Sequence, residues 1–186
     1  MAMKFVWASH KLINAAWTES GETNYDYVIL FNSLTELCAQ MGKRNLLDQV
    51  QILGLAAHGG EFHGGRIQLD SDLTVESIGG FDTEFRLLQR YLTRSAILTF
   101  YACAAGYGEA GSALLRGISS RLPGRLVIGF SVWGVTSPYG ASHPGIMGYN
   151  RQPNCTTSEG LLSPGNEFAK WARDGQIIRL PSAEQS

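Results

Sequence analysis

The stretch VQILGLAAHGG (residues 50–60) is apolar almost without interruption, then stops at His58 and breaks into two glycines. A run this short and this apolar, ending in glycine, is the pattern of a strand covered on both faces. A second run, AILTFYA (96–102), stops in the same way at Cys103 and breaks into AAGYGEAG. Between the two, RIQLDSDL (66–73) alternates as an edge ribbon does, and DTEFRLLQRYL (82–92) carries Phe85, Leu88 and Leu92 at helical spacing.

The same rhythm continues outward. YDYVILF (25–31) reads as a strand, and Asn32-Ser33 is a good N-cap pair for a short helix with Leu34, Leu37, Cys38 and Met41 on one face. Ala110, Leu114, Ile118 and Leu122 mark a helix over 109–122, closed by Pro123-Gly124, and RLVIGF (125–130) is a further buried strand. Near the end, NEFAKWARDG (166–175) reads as a short helix and QIIRL as an edge strand. Strands alternating with helices predict an α/β fold, a three-layer sandwich with a mostly parallel sheet of about five or six strands and helices on both faces. One domain is expected over residues 1–186. The glycine- and proline-punctuated stretch 134–165 is expected to be a long irregular loop, a substrate-side lid.

Composition excludes several classes of function. Net charge is −1 and only 17% of residues are charged, so no basic field exists to hold phosphates, and nucleic acid is not an expected partner. No apolar run approaches the ~18 residues of a membrane span. The apolar N-terminal stretch is broken at Ser9-His10-Lys11, unlike a signal peptide. The three cysteines, Cys38, Cys103 and Cys155, form no disulfide framework and no paired zinc motif, so a soluble, cytoplasmic protein is expected. The 22 glycines cluster at the ends of apolar runs, where backbone must approach something closely.

In a parallel sheet the reactive edge is the carboxyl ends of the strands, where His58 and Cys103 both fall. A thiol attacks a carbonyl only as thiolate and needs a base and oxyanion donors nearby. Gly59 and Gly60 lack side chains, so a substrate backbone can come close to His58. Cys38, on an apolar helix face, is expected in the core. Cys155, in a polar loop, is expected to be an exposed bystander, and His10 and His143 have no partner that sequence can name.

A His-Gly after an apolar strand, then a Cys after the next strand roughly fifty residues on, resembles the caspase-like cysteine peptidases. The string ILGLAAHGGEFHGG … ILTFYACAAGYGEAGSALLRGISSRLPGRLVIGF is similar to the bacterial caspase-like domains of the CHAT kind over residues 50–130. The resemblance implies a caspase-like fold, a His58/Cys103 dyad, and an oxyanion hole from the backbone amides of Gly59 and Cys103. It also implies a protein or peptide substrate, no cofactor, and substrate contacts from the chain after the following strand, at Ser131 and Trp133. The residue two before the cysteine is Tyr101. Metacaspases carry an Asp there, so preference for a basic side chain has no support.

Other readings stand beside this one. A caspase-fold adaptor or toxin-like binding module would keep the architecture without the chemistry. GYGEAG (106–111) is a literal dinucleotide fingerprint, but no acidic residue ends the next strand to hold a ribose. His58 and His63, around Glu61, lie in a glycine-broken segment that cannot form a helical metal-ligand pair, so no metal is expected.

Overall fold

The computed structural model describes residues 3–11, 25–59, 64–131, 135–136, 146–147 and 169–180. In chain order the elements are β1 (Lys4–His10), β2 (Tyr27–Phe31), α1 (Leu34–Lys43), β3 (Val50–Ala56), β4 (His58–Gly59), β5 (Arg66–Gln68) and β6 (Leu73–Thr74). Next come α2 (Asp82–Tyr91), β7 (Leu92–Tyr101), α3 (Gly108–Arg121), β8 (Leu126–Phe130), β9 (Val135–Thr136), β10 (Ile146–Met147), β11 (Ala169–Arg173) and β12 (Gln176–Arg179). The chain is α/β, built on a seven-stranded sheet in the order β12-β11-β8-β7-β3-β1-β2. Strands β2, β1, β3, β7 and β8 run parallel; β11 pairs antiparallel with β8, and β12 pairs antiparallel with β11.

Side chains alternate across this sheet as the two-residue strand period requires. Val6, Ala8, Leu53, Leu55, Leu98, Phe100 and Val127 join Leu37, Phe85, Leu88, Leu114 and Ile118 of the helices in one core. Trp7, Ala56, Tyr101, Ile128 and Phe130 form a second core on the opposite face. The expected helices on both faces are not found among the described residues, where α1, α2 and α3 all contribute to the first core. The reason is handedness. The crossovers β2 to β3, β3 to β7 and β7 to β8 all move the same way along the sheet, and right-handed crossovers moving one way put their helices on one face.

α1 starts where its N-cap pair places it: Ser33 Oγ accepts from the Glu36 amide, and the Glu36 carboxylate accepts from the Asn32 amide at 2.9 Å. In α3 the buried stripe runs through Gly111, Leu114, Leu115 and Ile118, and Ala110, expected on the apolar face, is exposed. Consecutive Leu114 and Leu115 shift the centre of the stripe away from Ala110.

Two elements differ from expectation. β1 has no counterpart among the expected strands, because buried Ser9 and His10 interrupt its apolar pattern. The expected closing helix is instead the hairpin β11–β12. Asp174 and Gly175 both carry positive φ, 50° and 77°, which is the two-residue turn that matches strand twist. Pairing of β11 with β8 outweighs weak helical spacing in so short a segment. Within 134–165, β9 and β10 form a two-stranded antiparallel ribbon. The rest of that stretch, and with it the expected lid, lies outside the described residues. No helix among the described residues is long and apolar enough to cross a membrane.

The hairpin is testable. A Cβ at Gly175 would meet only Ser120 at 3.5 Å, an ordinary contact, so Gly175→Ala carries a conformational cost alone. It is expected to lower unfolding stability by about 1–2 kcal/mol in denaturant titration. A helix at this position would instead be stabilised by the change.

Candidate active site

Strands β3 and β7 pair in parallel with Ala56 opposite Tyr101, and the Ala57 amide still donates to the Tyr101 carbonyl at 3.3 Å. His58 and Cys103 each stand two positions beyond that last register pair, at the same edge of the sheet. His58 is exposed and Cys103 half-buried, so both face accessible space.

The path of the chain beyond each residue explains the glycines. His58 and Gly59 turn away as β4 into the antiparallel ribbon β4-β5-β6. Gly59 lies directly on the Cys103 peptide: a Cβ there would overlap the Cys103 carbonyl oxygen and stand 2.5 Å from its nitrogen. Gly64 meets the Ala104 carbonyl in the same way, at 2.9 Å. After β7 the chain makes a tight turn in which the Ala105 amide donates to the Ala102 carbonyl, with Cys103 and Ala104 at its corner. Ala104 has φ 51°, a left-handed conformation costly for a residue with a Cβ, which persists only where surrounding contacts impose it.

Those contacts come from several sides. The Gly106 amide donates to the Phe130 carbonyl at 2.9 Å, and a Cβ on Gly106 would stand 2.8 Å from the Gly129 carbonyl. Ser131 Oγ donates to the Gly106 carbonyl at 3.4 Å, a long bond that brings Ser131 beside the cysteine loop. The Gly65 amide donates to the Ala105 carbonyl at 3.3 Å. Of the residues singled out in the sequence, His58, Gly59, Cys103 and Ser131 therefore converge on one edge. Trp133, Cys155, His143 and His63 lie outside the described residues.

The other described thiol is different in kind. Cys38 is buried on α1, and burial beside Glu84 pushes it up to about 12, so it stays protonated and inert. The dinucleotide fingerprint is absorbed by packing. Gly106 is pressed on β8, Gly111 on Gly106 and Ala105, and the first turn of α3 carries the carboxylate of Glu109, which opposes a phosphate. Among the described residues no cluster of three His, Cys, Asp or Glu side chains is placed to hold a metal.

Two residues that sequence reasoning missed stand at this edge. Lys170 reaches the cysteine loop from β11. His10 closes β1, the strand beside β3, at the point where the chain leaves one neighbour of β1 and continues from the other. Crevices in open parallel sheets form at such a reversal. The His10 ring packs edge-on against Phe31, with centroids 5.7 Å apart. Burial holds its imidazole below the ordinary 6.5, and His58 adds a smaller push in the same direction. A hydrogen bond to the Asn32 backbone and the charges of Asp70 and Glu36 oppose this without overcoming it. Compared with protein-family models and with curated proteins, the sequence matches none of them.

Gly59→Ala forces the cysteine turn to move and is expected to cost about 1–3 kcal/mol by denaturant unfolding. Gly79→Ala, where a Cβ meets nothing, serves as the control and is expected to be neutral or slightly stabilising.

The depressed His10 makes the unfolded chain bind more protons than the native one below pH 6.5. Its contribution to stability is complete above that pH and is lost as pH falls through the folded value. Thermal melts from pH 8 to 5 are expected to show this acid limb, and His10→Gln is expected to flatten it. An unchanged slope in the variant would remove His10 from the account.

Proposed function

We propose that this chain is a cysteine endopeptidase of caspase-like type, with Cys103 as nucleophile and His58 as its acid–base partner. The observation that carries the reading is the shared position of the two residues. Each lies two places past the Ala56–Tyr101 register pair, with Gly59 seated on the Cys103 peptide.

The chemistry derives from the groups. The Cys103 thiolate attacks the scissile carbonyl, forming a tetrahedral oxyanion held by the backbone amides of Gly59 and Cys103. The imidazolium of His58 protonates the leaving amine as the C–N bond breaks, which leaves a thioester on Cys103. His58 then takes a proton from water as it attacks that thioester, which breaks the C–S bond, releases the acid and restores the Cys103 thiolate beside the His58 imidazolium. The substrate is an extended peptide passing over the ends of β3, β7 and β8, with Ser131 on its side-chain face; Trp133 is a substrate contact only by the resemblance to caspase-like peptidases. No step requires a metal or an organic cofactor. The caspase-like three-layer arrangement belongs to this same proposal. The seven-stranded, mostly parallel sheet supports it, with β7 beside β3.

Cleavage of a proteome-derived peptide library by the wild-type chain, read by mass spectrometry, tests the proposal and reports the preferred side chain. Cys103→Ala is expected to abolish turnover, and His58→Ala to lower it about 10²–10⁴-fold. Wild-type protein that cleaves nothing would replace this reading with a caspase-fold binding module.

A further inference from the structure

We infer that Lys170 is the positioning residue for the cysteine loop, acting through the Gly108 carbonyl and Ser112; the catalytic form of the claim rests on the peptidase reading above. Lys170 lies on β11 opposite Gly129 of β8 and has no exposed surface. Its Nζ donates to Ser112 Oγ at 2.7 Å and to the Gly108 carbonyl at 3.1 Å. Ser112 Oγ in turn donates to the same carbonyl at 2.9 Å, which closes a triangle at the start of α3.

This is an expensive place for a lysine. Its Nζ gives up contact with water, and the N-terminal turn of a helix repels cations. An apolar side chain would fill the space between β11 and α3 without either cost. What an apolar side chain cannot do is grip the carbonyl of Gly108, the residue at which the cysteine loop ends and the helix begins. Gly108 has φ 61°, and its carbonyl accepts from both Lys170 Nζ and Ser112 Oγ.

The loop from Cys103 to Gly108 is thus held along its length, by Gly65 and Ser131 and at three further points. Gly59 meets it at the cysteine, the Phe130 carbonyl binds it at Gly106, and Lys170 binds it at its end. The last anchor comes from 62 positions further along the chain. A separate Ser112–Lys170 nucleophile is not indicated. Ser112 is buried, and its hydroxyl is already committed as donor to Gly108.

The test compares wild type, Lys170→Met and Ser112→Ala in the full chain. Thermal melts, steady-state cleavage of the best library peptide, and the iodoacetamide labelling rate of Cys103 by peptide mass spectrometry are measured on each. A melting temperature of Lys170→Met close to wild type is expected, with kcat down about ten- to a hundredfold, KM within about twofold, and an altered labelling rate at Cys103. Ser112→Ala is expected to show a smaller effect in the same direction, and it carries the test if the methionine variant does not fold. Unchanged kcat and unchanged labelling in a folded variant would overturn the inference while leaving the peptidase reading intact. Should wild type cleave no peptide, the peptidase reading fails alone, and the labelling rates still decide whether Lys170 positions the loop.

Discussion

The peptide of Cys103 and the backbone of Gly59 occupy adjoining space with no room for a side chain between them. That closeness begins with the parallel pairing of β3 and β7. Two strands held in register deliver the next residues of both chains to one place, and both must then turn aside. One turns into the β4-β5-β6 ribbon, the other into a corner with Ala104 left-handed. Glycines at 59 and 64 let the two turns lie backbone on backbone, while Gly65 lies against Ala110 of α3 and Gly106 against Gly129 of β8. Any bulk inserted here would be felt at the thiol.

The sheet around this pair is organised by direction of travel. Three successive crossovers advance the same way, so the described helices share one face and the carboxyl ends of five strands share one edge. His10, His58, Cys103 and Ser131 follow or end four of those strands. The edge thereby collects an imidazole, a thiol, a hydroxyl and a second, buried imidazole whose protonation is disfavoured. The opposite face is closed by aromatic packing, with Trp7 4.8 Å from Tyr101 and Tyr101 5.6 Å from Phe130, ring to ring. Tyr101, the last residue of β7, thus anchors the base of the cysteine turn in a rigid core.

Much of this was legible in the text of the chain. The strands ending at Ala56, Tyr101 and Phe130 and the helices between them announce themselves by continuous apolar runs and by apolar residues every third or fourth place. The glycines after His58 and Cys103 marked close approach before any partner was known. β1 was hidden because its buried Ser9 and His10 look like surface residues. The β11–β12 hairpin was misread because Ala-Lys-Trp-Ala-Arg has no decisive period, and the Asp-Gly pair after it was the better signal. Lys170 had no legible role at all, since a lysine between alanine and tryptophan reads as an exposed residue of any element.

Local chemistry in the sequence by itself determined the strands and helices between Tyr27 and Phe130 and which polar groups close those strands, because hydrophobic period and turn residues act over a few positions. It also determined that one thiol follows a strand while another sits on an apolar helix face. Only the tertiary structure decided which strands are neighbours, that the described helices lie on one side, and that Lys170 reaches Gly108. Those outcomes depend on crossover handedness and on pairing between segments far apart in the chain, which no short window of sequence contains.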